Sequence, residues 1–283
     1  MIHRPAIFVS LVSLLAWAPA FVGAQDDESA RERPCCEMRI ESELFADGTA
    51  TPLARSLTLF YEGVAWDFLE PVASGSAAAT EIVLHDPARE RVVVIDPQRH
   101  LKTQVEALRL ERLSVSLAKW ARSSDDRLVR WAGGPDFATG FTDDGDRLDL
   151  VGPRVKYAVK HEPAPSADAA HAYRRFADTA ILLKALLQPG GIPPFPRLAL
   201  NERLAAAGAI PAEVRLEIDP RLAVIGARPE RLRCSHRLHP RLLSGDLARI
   251  EDAKAHVAAA ETVALAAFVQ RNRPDDRTTA AAP

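Results

Sequence analysis

The sequence predicts an α+β protein: a curled antiparallel sheet, or unclosed β-barrel, of about ten strands covered by helices. Three observations predict it. Thr80 to Val105, TEIVLHDPARERVVVIDPQRHLKTQV, reads as three short strands joined by two Asp-Pro turns, Asp86-Pro87 and Asp96-Pro97. Ser56 to Glu70, SLTLFYEGVAWDFLE, carries the alternation of a hairpin around Glu62-Gly63. After Val105 the apolar period lengthens from two to about 3.6. Strand and helix patterns then follow one another irregularly, as in α+β chains, rather than in regular βαβ units.

Taken in order, residues 1 to 24 read as a secretory signal peptide. His3 and Arg4 make a short basic start, Ala6 to Trp17 is apolar, and Val22-Gly23-Ala24 offers small residues for cleavage. That apolar run is shorter than the roughly 20 residues a spanning helix needs. Residues 25 to 34 are charged and form a disordered leader. Residues 35 to 243 are expected to form one half-barrel with inserted helices, 244 to 271 a C-terminal helix, and 272 to 283 a disordered tail. No later stretch is long and apolar enough to span a membrane, so the mature chain is expected to be periplasmic or secreted. The formal net charge of −2 gives no basic field for nucleic acid.

Met38, Ile40 and Leu44 mark a first strand. In the hairpin a two-residue turn pairs Tyr61 with Val64, Leu59 with Trp66 and Leu57 with Phe68, and paired side chains share a face. One face is then wholly apolar; the other, with Thr58, Phe60, Ala65 and Asp67, is mixed. On that reading Trp66→Asp unfolds the domain and Thr58→Asp is mild. In the central meander Asp before Pro opens each turn, its carboxylate reaching amides just ahead. Val92 to Ile95 is β-branched without polar alternation, which suits a strand covered on both faces.

Leu110, Leu113, Leu117 and Trp120 place a helix over Glu106 to about Ala121, and a short one follows at Asp126 to Trp131. Strands are expected at Phe137–Thr142, Arg147–Val151 and Arg154–Lys160, with a plain turn at Asp143–Asp146. Ala167 to Gln188 is helical and a third helix runs to Ala207. Strands at Glu213–Asp219, Arg221–Gly226 and Arg231–Leu238 precede an Ala-rich helix from Asp246 to about Gln270.

The chemistry-bearing residues point to no catalytic constellation. There is no phosphate loop, nucleophile elbow or His-Glu-x-x-His helix. Cys234, His236 and His239 are the strongest metal candidates, but alternation sets Cys234 and His236 among Leu232 and Leu238, as core residues. Cys35 or Cys36 could bond Cys234 in an oxidising compartment. Six arginines between Arg221 and Arg241 against one acid, Glu230, read as a solvated sheet edge or an anionic-headgroup surface.

The segment VVVIDPQRHLKTQV, Val92 to Val105, resembles the strand–turn–strand of outer-membrane lipoprotein carrier proteins. In element order the resemblance extends over roughly Met38 to Ile218 and is specific around Asp96-Pro97. It implies an unclosed antiparallel barrel capped by helices, with an apolar interior that holds acyl chains. The resulting expectation is an exported envelope protein that binds a lipid or other apolar small molecule. Leu59, Trp66, Phe68, Val93 and Ile95 are its candidate ligand-binding residues, Val93 and Ile95 facing the cavity. No metal, cofactor or catalytic residue is assigned, and an envelope protein is the other partner expected. The alternative is a structural or interaction module whose core is filled by its own helices.

Overall fold

The computed structural model describes residues 36–70, 72, 80–134, 136–219 and 230–271. The signal-peptide and leader assignments, the expected strand at Arg221–Gly226 and the tail from residue 272 lie outside the described residues.

Twelve strands form one open sheet: β1 (Met38–Ala46), β2 (Ala54–Tyr61), β3 (Val64–Glu70), β4 (Glu81–Asp86), β5 (Arg91–Asp96), β6 (Leu101–Glu106), β7 (Phe141–Asp144), β8 (Arg147–Gly152), β9 (Val155–Pro163), β10 (Ala209–Ile218), β11 (Glu230–His239) and β12 (Glu261–Thr262). Six helices accompany it: α1 (Ala107–Arg122), α2 (Arg127–Ala132), α3 (Ala167–Leu187), α4 (Phe195–Ala206), α5 (Ser244–Ala259) and α6 (Leu265–Arg271). The strand order is β12-β6-β5-β4-β3-β2-β1-β11-β10-β9-β8-β7, so β12 and β7 are the two ends and the sheet does not close. All pairings are antiparallel except β12 with β6. Among the described residues no helix is long and apolar enough to cross a membrane.

The hairpin register is the expected one: Tyr61 faces Val64, Leu59 faces Trp66 and Leu57 faces Phe68. Its turn works because Glu62 and Gly63 both take positive φ, +52° and +74°, which matches the twist of the flanking strands. The two Asp-Pro turns are built alike. Asp86 accepts from the Arg89 amide at 3.3 Å and Asp96 from the Arg99 amide at 2.9 Å. Each turn closes on a left-handed residue, Glu90 and His100.

The sheet buries unequally. On one face, Leu57, Leu59, Trp66, Phe68, Ile82, Leu84, Val93 and Ile95 lie beneath Ile250 and Ala253 of α5. The opposite face is apolar along most of its length. Met38, Ile40, Phe60 and Ala65 pack on Ala169, Tyr173 and Ala177 of α3. Val83, Val92 and Val94 meet Leu110, Leu183 and Phe268 of α1, α3 and α6. Leu148, Leu150, Val155 and Val159 meet Leu128, Leu200 and Leu204 of α2 and α4. Beyond β2 the α5-side face turns charged, with Glu41, Arg237, Arg233, Glu213, Arg215 and Lys160 in cross-strand neighbourhood.

Several expectations are corrected. The single C-terminal helix over 244–271 breaks at Ala260. The amide of Glu261 donates to His100 O and that of Val263 to Lys102 O, so β12 adds to the sheet edge beside β6. Phe137–Thr142 is mainly a 3-10 turn, Ala138–Gly140, with β7 starting only at Phe141. The arginine-rich strand β11 lies inside the sheet between β1 and β10 and is no edge. Its charges are met by neighbours: Arg231 by Glu217 at 3.0 Å, Arg237 by Glu41 at 3.2 Å and Arg233 by Glu213 at 3.6 Å.

The sequence-level disulfide between Cys36 and Cys234 does not form. Cys234 stands opposite Leu44, eight positions along β1 from Cys36. At about 3.3 Å per residue that is roughly 25 Å, against a bridging limit of about 7 Å between Cα atoms. Cys35 lies outside the described residues. The metal candidate also comes apart. β11 runs through His239, so His239 faces the α5 side beside Arg39 while Cys234 and His236 face the other.

Candidate functional site

The five residues singled out in the sequence come together. Leu59, Trp66, Phe68, Val93 and Ile95 share one face and one cluster, each between 0% and 4% exposed. Their cover is part helix, part charged stem. Ile250, Ala253 and Val257 supply a narrow apolar stripe, and the Arg249 guanidinium lies 4.5 Å from the centre of the Phe68 ring. Lys102 donates its ammonium to the Val257 carbonyl, and Arg249 pairs with Glu70 at 2.9 Å. At the head of α5, Asp246 accepts from the Leu243 amide at 2.8 Å and meets Arg39 at 3.4 Å. This layer is closely packed.

The layer beneath α3 and α4 has a different chemistry. Phe176 of α3 sets its ring edge-on to Phe60 at 5.6 Å and to His85 at 4.8 Å. His85 is 5% exposed, and burial drives its pKa down to about 3, so the ring is neutral. Thr58 donates to Asp67 at 2.8 Å, and desolvation lifts the Asp67 carboxyl to about 6 despite that bond. Ser42 bonds His236 Nδ1 at 2.8 Å; burial first, and the nearby Arg197 charge second, push this imidazole down to about 3. Tyr173, 5% exposed, is pushed up to about 12 by burial, with Arg197 opposing the rise. Asn201 donates to Asp178 at 2.8 Å.

Among the described residues four buried polar atoms on this side have no hydrogen-bond partner, His85 Nδ1, His236 Nε2, Arg197 Nη1 and Asn201 Oδ1, and three more, Arg39 Nε, His239 Nε2 and Arg249 Nη2, lie on the α5 side. Buried polar atoms are satisfied in the great majority of cases, so a group of four within one layer needs a reason. Together they offer a guanidinium donor, a carbonyl acceptor and two neutral imidazoles. That equipment can orient a polar group but supplies no activated nucleophile.

Sequence reasoning placed His236 of this layer among core residues and missed the rest of it. The other visible signal was His85, the imidazole that follows the apolar run Ile82-Val83-Leu84. A third feature, a groove of about 520 Å³ on the charged face, is lined by Asp47, Arg147, Lys156, Arg215, Arg231 and Arg233. Its cations are neutralised by Asp149, Glu213 and Glu217, so it is a wet surface of balanced charge.

No family model matches the chain, and no curated protein matches it. Among solved structures it is similar to a LolA superfamily protein from Nitrosomonas europaea. The identity is 9% over 76% of this chain and 90% of that chain, with a TM-score of 0.26. No residue correspondence follows from a likeness of that size, and the site rests on its own geometry.

Proposed function

We propose that the chain is an exported binding protein of the cell envelope, periplasmic or secreted, that holds a lipid or other apolar ligand between the sheet and its α3–α4 cover. The signal-like pattern of residues 1 to 24 supports export. One observation supports the ligand reading: the α3-side layer is apolar in bulk yet keeps four of the seven buried side-chain polar atoms that have no partner among the described residues, two of them imidazole nitrogens within an aromatic and aliphatic layer. A layer that only had to be filled gains nothing from them, because each unsatisfied group costs about 1–3 kcal/mol. A bound molecule with apolar body and polar end would satisfy both. An acyl chain taken from water contributes about 0.8 kcal/mol per buried methylene. Leu59, Trp66, Phe68, Val93 and Ile95 lie on the other face of the sheet beneath α5 and in this proposal form the packed floor behind the ligand layer.

A second reading, the envelope module with a filled core, is favoured by the near-complete burial of those five residues. Displacement of a neutral apolar dye such as Nile red separates the two. In the carrier, Ala65→Phe beneath α3 lowers dye affinity, while Val93→Phe beneath α5 lowers stability and leaves dye affinity intact. A dye effect from Val93→Phe alone would move the ligand to the α5 side. If the wild-type chain binds no dye and brings no lipid from its host in native mass spectrometry, the module is the function.

A further inference from the structure

Helix α1 turns one side to the core and leaves the other open. Leu110 and Ala121 are buried, and Leu110 packs in one cluster with Val83, Val92 and Leu183. On the open side Leu108 is 49% exposed, Val115 72% and Trp120 56%. Helical spacing in the sequence had set Trp120 on the buried stripe with Leu110, Leu113 and Leu117; the fold leaves it in water. A single exposed apolar side chain is ordinary, but three on one helix mark a surface. The same helix carries four exposed cations, Arg109, Arg112, Lys119 and Arg122, against one acid, Glu111. Among the described residues none of the four lies within ion-pair distance of a carboxylate. Arg122 instead donates to the Gly133 carbonyl at 3.0 Å. The charged face of the sheet differs, for Arg147, Arg215, Arg231 and Arg233 each meet an acid there.

Along α1 the two chemistries alternate. Leu108, Arg112, Val115, Lys119 and Arg122 follow one another at spacings of three or four, in one row about 21 Å long. A protein interface concentrates its apolar residues at the centre and excludes lysine from it. In this row each apolar side chain instead has cations as its neighbours, the layout of a helix lying in the headgroup region of a membrane. Tryptophan suits that level, and Lys and Arg stems can lie along apolar matter while their charged ends reach phosphate. We propose that this face of α1 docks the chain on an anionic lipid bilayer, Leu108, Val115 and Trp120 entering the headgroup region and the cations meeting lipid phosphates. The net charge of −2 does not oppose docking, because charges beyond about 10 Å are screened at 0.1 M salt. Helix α1 lies along the membrane and does not cross it. The contact holds whether or not the α3-side layer takes a ligand.

Sedimentation of the whole chain with vesicles tests it, using equal parts phosphatidylcholine and phosphatidylglycerol against phosphatidylcholine alone. The wild type should pellet with the anionic vesicles, stay largely in solution with the neutral ones, and be released by added salt. Each cation at such a surface adds about 1 kcal/mol, which is about fivefold in partitioning. Arg112→Gln combined with Lys119→Gln should therefore weaken binding about thirtyfold. Both side chains are exposed, so the melting temperature should match that of the wild type. Trp120 gives a second readout. Tryptophan emission should shift to the blue on anionic vesicles, and Trp120→Phe should abolish the shift while the variant still sediments. Equal sedimentation with both vesicles overturns the proposal, and so does none with either, which leaves this face to an acidic protein partner. Binding undiminished by the double substitution overturns it too, and moves the contact to another segment, such as the apolar run of residues 6 to 17. A blue shift that persists in Trp120→Phe does the same, because it then arises from another of the four tryptophans.

Discussion

Strands β2 to β5 and strands β8 to β11 belong to one sheet, yet they live in different solvents. In the first group both faces are covered, and Val92, Val93, Val94 and Ile95 are each 3% exposed or less. In the second group one face packs on α2, α3 and α4 while the other carries paired charges in water. The primary structure differs accordingly: VVVI without alternation in β5, strict alternation of Val155, Tyr157 and Val159 with Lys156, Ala158 and Lys160 in β9. The doubly covered half is where a charge or an added volume has nowhere to go. The singly covered half tolerates change on its wet side. Sequence alternation therefore marks the tolerant half, and its loss marks where covers must exist.

The largest effects should come from charges placed in β2 and β3. Trp66→Asp puts a carboxylate against Leu59 and Leu84, and soluble folded yield measured by circular dichroism should collapse. Thr58→Asp should collapse it too. The sequence had suggested mildness there, but Thr58 is 2% exposed and donates to Asp67, so the change sets two carboxylates together in a buried place. A folded, soluble Thr58→Asp would show that the α3 side of this hairpin is open to water.

That correction shows what was legible and what was not. The hairpin register followed from Glu62-Gly63 and alternation, both local. The Asp-Pro turns followed from residues within four positions of one another. The burial of Thr58 could not be read, because Thr58 and Asp67 satisfy each other across the strand pair and still look like a wet face in one dimension. The break at Ala260 was hidden for a related reason: Ala-rich sequence suits a helix, and only pairing with His100 and Lys102 turns the chain into β12. The polar atoms beneath α3 come from β4, β11 and α4, segments more than a hundred residues apart at their extremes. No spacing in the sequence brings them together.

Asp67 and His85 give the doubly covered half two opposed pH dependences. The Asp67 pKa is raised from 3.8 to about 6, so the folded state holds the proton that the unfolded chain releases in that interval. Stability from this group is greatest below pH 3.8 and is lost as pH rises through about 6. Asp67→Asn should therefore stabilise the protein by up to about 3 kcal/mol above pH 6 and change little below pH 4, read from urea unfolding at several pH values. His85 works in the other direction. With its pKa lowered from 6.5 to about 3, its neutral ring favours the fold above pH 6.5, and that stability is lost as pH falls toward 3. His85→Phe should keep the contact with Phe176 and weaken acid unfolding. A pH profile unchanged by either substitution would mean that water reaches this layer.

The smallest effect should come from the wet face. Lys160 of β9 is exposed and faces Arg147 on one neighbour and Glu213 on the other. Lys160→Asp removes an attraction to Glu213 and creates one to Arg147, and both act through solvent. The two changes oppose each other, so the net shift in stability should stay within about 0.5 kcal/mol. Added salt should shrink it further, because exposed charges are screened over about 10 Å at 0.1 M. A loss as large as that of Trp66→Asp would mean that the charged face of β8 to β11 is covered in solution by something else. The strand would then belong with β2 to β5, and the division of the sheet into two solvents would fail.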